Sequence, residues 1–219
     1  MADAATTRRT AIVFDFDGTL FDASGAILHS FENALKDLDR PPMSRKTVSS
    51  LIGRPLFEMY RNLYPDTSEE ETQRFIDRYR AHFWPVSLSL SKKMPGLDDC
   101  LRDLHPGRRF AIATNRSARG ARYILEGFNL AFYFPVIVGL EDVKQVKPHP
   151  EAVLKAIDQL GGHPSGGAMV GDTVEDVQAA RAAGVLAIGV TTGTASREDL
   201  EKAGADAVIA SLADLPELV

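Results

Sequence analysis

Four apolar residues run directly into two carboxylates at Ala11-Ile12-Val13-Phe14-Asp15-Phe16-Asp17-Gly18-Thr19-Leu20. An uninterrupted apolar run of this kind reads as a strand covered on both faces, the mark of a parallel sheet flanked by helices. Asp15 and Asp17 fall where that strand ends, and open α/β sheets bind their ligands outside the carboxyl ends of their strands. Two acids this close repel each other unless positive charge lies between them. A hard divalent cation meets that need, and Mg²⁺, commonly held by a few carboxylates together with substrate phosphate, fits best. Taken alone, Asp-x-Asp-Gly also describes a surface turn that caps the next helix.

Later strand ends supply matching parts. Phe110-Ala111-Ile112-Ala113 leads into Thr114 and Asn115, ahead of a helical pattern over residues 117–127. A hydroxyl, an amide and the free N–H groups of a helix start form a cradle for phosphate oxygens, although Thr-Asn before a helix is more often an N-cap. In Val146-Lys147-Pro148-His149-Pro150, prolines stiffen the chain that carries Lys147, whose ammonium suits phosphate neutralisation. Finally Ala168-Met169-Val170-Gly171-Asp172 runs into a helix closed by Gly184. Asp172 and Asp176 lie one helical turn apart and can face the same point. An acidic first turn that complements the helix dipole is the local alternative. The local explanations are independent of one another, whereas the four segments recur in order at strand ends.

With these segments in this order, the chain resembles the haloacid dehalogenase superfamily, in particular the phosphatase branch that includes phosphoglycolate phosphatase. The similarity continues through Ala187-Ile188-Gly189-Val190-Thr191-Thr192-Gly193 and Ala203-Gly204-Ala205-Asp206. It implies a Rossmann-like, doubly wound parallel α/β core, a helical cap, and a Mg²⁺-dependent phosphomonoesterase working through an aspartyl phosphate. Asp15 is then the expected nucleophile, and Asp17 the acid that protonates the leaving alkoxide and later takes a proton from water. The resemblance further implies metal contacts from Asp15, from Asp17 through its backbone carbonyl, and from Asp172, with Asp176 in support. Thr114, Asn115 and Lys147 are expected to hold the non-bridging phosphate oxygens.

Between the first two motifs the apolar spacing turns helical, with Ile27, Phe31, Leu35 and Leu38 on one stripe and Leu56, Met59, Tyr60 and Leu63 on another. A further helix is predicted to open at Thr67 or Ser68 and run towards Trp84, with Glu69, Glu70 and Glu71 as a solvated start. An all-helical insert over residues 21–90 follows, hinged near residues 21–22 and 87–93. The α/β core is assigned to residues 1–20 and 91–219. Gly53-Arg54-Pro55 breaks the helical run, and in similar proteins such a loop dips towards the catalytic pocket. Arg54 would suit a carboxylate, a second phosphate or a ring carbonyl on the leaving group, or else be a solvated charge at a helix end.

A formal net charge of −5 argues against nucleic acid as the partner, which would call for a basic face. The single cysteine, Cys100, excludes an internal disulfide and suits a reducing cytoplasm. Absence of a long apolar run predicts no association with a membrane, and residues 1–10 read as a frayed tail. The five histidines are too scattered for a metal site, His149 alone lying near a motif. Asp17 argues against a metal-free dehalogenase, which has no second acid two positions on. A phosphosugar mutase of the same superfamily is the nearest alternative. A receiver-type signalling domain, from another class, also gathers acids, a hydroxyl and a lysine at a sheet edge, but it lacks a large helical insert. The substrate expected is a small phosphorylated metabolite: phosphoglycolate-like, a sugar phosphate or nucleoside 5′-phosphate-like.

Overall fold

Strand β1 (Ala11–Phe14) pairs in parallel with two later strands at once, and the molecule is arranged around it. The computed structural model describes residues 9–219, so all but the last two residues of the expected N-terminal tail lie outside the described residues. After β1 come β2 (Phe21–Asp22), α1 (Ser24–Asp37), α2 (Arg45–Ser49), α3 (Leu56–Leu63), α4 (Glu69–Val86) and β3 (Lys92–Lys93). Helix and strand then alternate through α5 (Leu97–Leu104), β4 (Arg109–Ala113), α6 (Ala118–Gly127), β5 (Val136–Val138), α7 (Glu151–Gln159) and β6 (Gly167–Gly171). The chain closes with α8 (Val174–Ala183), β7 (Leu186–Val190), α9 (Arg197–Lys202) and β8 (Ala207–Ile209). No helix among the described residues is long and apolar enough to cross a membrane.

Six strands form one parallel sheet in the order β5-β4-β1-β6-β7-β8. The chain builds one side of β1 with β4 and β5, then the other with β6 to β8. Strand order therefore reverses beside β1, and a crevice opens at the carboxyl ends of β4, β1 and β6. Alternate residues of β1 feed two separate cores. Ile12 and Phe14 join the cluster that includes α5 and α6, whereas Ala11 and Val13 join the one that includes α7 and α8. This two-sided burial is what the unbroken apolar run requires.

Helices α1 to α4 fill the interval between β2 and β3, whose short antiparallel pair brings the two connecting segments side by side. Phe31 of α1 meets Phe75 of α4 with ring centroids 4.7 Å apart, and Tyr60 of α3 stacks on Phe75 at 4.0 Å. These rings belong to the same apolar cluster as Ile12 and Phe14, reached through Phe16, Leu20 and Phe21. Ser68 caps α4 by accepting from the Glu71 N–H at 3.1 Å. The acidic start is only partly solvated: Glu69 and Glu70 are exposed, but Glu71 pairs with Arg40 and accepts from the Tyr60 hydroxyl at 3.0 Å. Sequence spacing gave no hint of that pairing, because Arg40 lies in the turn after α1.

Candidate active site

Asp15 leaves β1 at the strand order reversal, its N–H donating to Val170 O of β6 at 2.8 Å. Lys147 reaches the same point from the loop before α7. Its ammonium donates to Asp15 Oδ1 at 2.5 Å, to Asp176 Oδ1 at 2.6 Å and to the Ala113 carbonyl at 2.9 Å. Asp176 sits in the first turn of α8, where a capping box with Thr173 occupies its other oxygen. Burial opposes the charge on Lys147, but Asp15 and Asp176 outweigh it and hold the ammonium above its usual pKa. Burial raises the Asp15 carboxyl to about 7, with Lys147 opposing and Asp176 adding to the shift.

Asp172, at the end of β6, completes the group. Thr19 Oγ1 donates to one of its oxygens and the Thr194 N–H to the other, each at 3.0 Å. Gly18, at φ +89°, and Gly193 flank this carboxylate so closely that a side chain at either position would strike it. Burial, then the charges of Asp15 and Asp176, push Asp172 well above the ordinary carboxylate range. Asp15, Asp172 and Asp176 each offer an oxygen within 4.8 Å of the others, and all three are buried. One ammonium cannot neutralise three carboxylates. Asp172 has no cationic partner among the described residues, so the donor set fits a hard divalent cation.

The side chain of Asp17 turns elsewhere. Arg116 grips it in a fork, Nε to Oδ2 and Nη2 to Oδ1, both at 2.8 Å. The guanidinium carbon also lies 5.3 Å from the Phe16 ring centre and 5.0 Å from that of Phe83 on α4. Thr114 Oγ1 accepts from the Arg116 N–H at 3.1 Å. Asn115 acts as a clamp on backbone: its amide donates to Gly53 O at 3.0 Å and its oxygen accepts from the Lys147 N–H at 3.1 Å. Asn115 therefore ties the loop before Arg54 to the segment that carries Lys147. The helix cap that is the local alternative for Thr114-Asn115 is supplied by Ser117, which accepts from Gly120 N.

A cleft opens above Asp15, Asp17, Thr114 and Asn115, with α3 and α4 as its far wall. Arg54 lies on it, exposed, and its guanidinium has no protein partner among the described residues. His149 does not line the cleft; its Nδ1 accepts from the Glu151 N–H at 3.3 Å at the start of α7. Arg116 was missed from sequence, since a basic residue next to Thr114-Asn115 announces nothing about a partner 99 positions away. Tyr79, Phe83 and Trp84 carry helical spacing, which marks a buried stripe but cannot show that one edge of it faces a cleft.

The sequence pattern of the haloacid dehalogenase-like hydrolases matches residues 12–190. A probable phosphatase of Dickeya dadantii, IndB, is 32% identical over 208 residues, covering 93% of this chain and 90% of its own. A plasmid-borne phosphoglycolate phosphatase of Cupriavidus necator is 31% identical over 96% of this chain and 93% of its own. Among solved structures, a haloacid dehalogenase-like hydrolase of Bacteroides fragilis superposes with a TM-score of 0.89 at 28% identity, over 95% of this chain and all of that one. Sequence pattern, relatives and fold agree across nearly the whole length: the chain belongs to the haloacid dehalogenase-like hydrolases.

Proposed function

We propose that this hydrolase is a Mg²⁺-dependent phosphomonoesterase acting on a small phosphorylated metabolite through an aspartyl phosphate. The observation that carries it is the buried, under-neutralised group of Asp15, Asp172 and Asp176, with a single ammonium, beneath an open cleft. Asp15, Asp172, Asp176 in support and the Asp17 carbonyl would hold Mg²⁺, which when bound supplies charge neutralisation for the transferring phosphoryl group.

The chain's own residues account for the remaining steps. Asp15 attacks phosphorus, forming an O–P bond as the bond to the leaving oxygen breaks. Asp17 supplies that oxygen with a proton, then accepts one from the water that cleaves the aspartyl phosphate. To carry a proton, Asp17 must free an oxygen from the Arg116 fork. Lys147, kept charged by Asp15 and Asp176, neutralises a non-bridging oxygen by turning one of its three N–H donors to it, the Thr114 hydroxyl donates to another, and Asn115 braces the loops around them.

Residues 21–90 act as a cap over a core of residues 1–20 and 91–219, of which 1–8 lie outside the described residues, a division supported by the β2–β3 neck and by the cleft between the two parts. Arg54 meets the polar end of the leaving group. A buried, unpaired Cys100 supports a reducing, cytoplasmic setting. Phosphate release from a panel of small phosphoesters, with Mg²⁺ and with chelator, tests the proposal. Full activity in chelator overturns it.

A further inference from the structure

The cleft wall facing the carboxylates is apolar to a degree that phosphate chemistry does not need. Helix α3 and the turn before it contribute Ile52, Leu56, Phe57 and Met59. Helix α4 contributes Ile76, Tyr79, Phe83 and Trp84. Tyr79 stacks on Phe83 with centroids 5.6 Å apart, and Phe83 meets Trp84 edge-on at 6.0 Å; the first two are largely buried and Trp84 is half-buried, so the α4 side is a packed aromatic row that borders the cleft. Opposite character comes from Arg116, whose guanidinium lies over Phe83 and is held by Asp17, and from the exposed guanidinium groups of Arg54 and Arg80, neither of which has a protein partner among the described residues.

Phe57 is the informative member. It is half-buried, lines the cleft, packs into neither apolar core and has no ring partner among the described residues. A phenylalanine held against open space contributes little to folding; it gains only when a ligand covers it. A glycolate-sized leaving group would pair its carboxylate with Arg54 or Arg80 and leave the rings uncovered, so the apolar wall would contribute nothing to its binding.

Resting on the phosphomonoesterase function proposed above, we infer that the alcohol released by this enzyme carries a flat, largely apolar ring. The ring lies between Phe57 on α3 and the aromatic row of α4, and any polar or anionic substituent projects towards Arg54 and Arg80. The substrate class is thus a ring-bearing phosphomonoester and not a phosphorylated short acid.

Trp84 is the only tryptophan of the chain and lies on this wall, so its fluorescence reports occupancy without turnover. Benzylphosphonate and methylphosphonate, titrated in the presence of Mg²⁺, should differ at least tenfold in dissociation constant in favour of the ring, because enclosing a phenyl group removes on the order of 100 Å² of apolar surface from water. In parallel, kcat/KM for 2-phenylethyl phosphate should exceed that for ethyl phosphate and 2-phosphoglycolate by at least tenfold, chiefly through KM. Phe57→Ala should shrink both ratios at least threefold, and Phe57→Leu, which keeps bulk without the ring, should shrink them less. Equal binding of the two phosphonates, or 2-phosphoglycolate matching the phenylethyl ester, overturns the inference while leaving the phosphatase function intact. Ring-selective phosphonate binding with no hydrolysis of any ester supports the cleft assignment and overturns the function.

Discussion

Arg116 holds both carboxylate oxygens of Asp17 across 99 residues of sequence, and its guanidinium also lies over Phe83 of α4. The residue expected to move protons is therefore joined through one side chain to the helices above the cleft. Both partners are nearly hidden, at 11% and 12% exposure, so removing one leaves the other poorly solvated. Arg116→Ala and Asp17→Asn should be strongly non-additive, with a coupling of about 1–3 kcal/mol in a double-mutant cycle read by denaturant unfolding. Arg116→Lys keeps the charge but not the fork and should recover only part of it. Additive effects would show that the pair contributes no specific energy.

Asp15→Asn should abolish phosphate release to at least a thousandfold below the parent, because an amide is neither a nucleophile nor a good cation ligand. Aluminium or beryllium fluoride with Mg²⁺ should inhibit the parent and raise its Tm, and should leave the Tm of the variant unchanged. Residual turnover within tenfold of the parent would assign the nucleophile to another residue.

Asp17→Asn should still bind metal, since the contact expected there is through backbone, yet turn over alkyl phosphates slowly. An activated aryl phosphate, whose leaving group needs no proton, should lose much less in the first step. If both substrates slow equally in single-turnover measurements, Asp17 does not protonate the leaving oxygen.

Stability should respond to Mg²⁺ in a pH-dependent way. Burial holds Asp15 at about 7 and Asp172 well above the ordinary range, so the folded, chelator-treated chain keeps protons that the unfolded chain releases near pH 4. The Asp15 contribution is full below about pH 4 and is lost as pH rises through about 7, and the raised Asp172 carboxyl acts in the same direction. Bound Mg²⁺ competes with those protons. The rise in Tm on adding saturating Mg²⁺ should therefore be larger at pH 8 than at pH 5, as measured by scanning calorimetry. An equal or larger rise at pH 5 would remove the carboxylate group as the metal site.

Arg54 is exposed on the cleft without a protein partner. Arg54→Ala should raise KM about tenfold for the best substrate found by screening, the loss expected for one charge-assisted hydrogen bond, with little change on a minimal aryl phosphate. Unchanged kinetics on the best substrate would return Arg54 to the solvent.

Much of this was legible in the residues themselves. The apolar run of β1 had to be buried on two faces, and the residues after it had to emerge at a sheet edge. Ser68, Ser117 and Thr173 cap helices because a side-chain oxygen three positions before an N–H satisfies it locally. These are contacts within one turn, and period and composition report such contacts directly.

What tertiary structure decided is who meets whom across the chain. The order β5-β4-β1-β6 brings Lys147 between Asp15 and Asp176, turns Asn115 into a brace for the Gly53 loop, and delivers Arg116 to Asp17. None of these pairings leaves a local trace, because an ionic or amide group is compatible with solvent until the fold removes the water and another segment must supply its partner. The same holds for Phe57 and the α4 rings. Helical spacing says that a face is apolar, and only the packed structure distinguishes a face that another helix covers from one that lines a cleft beside the carboxylates.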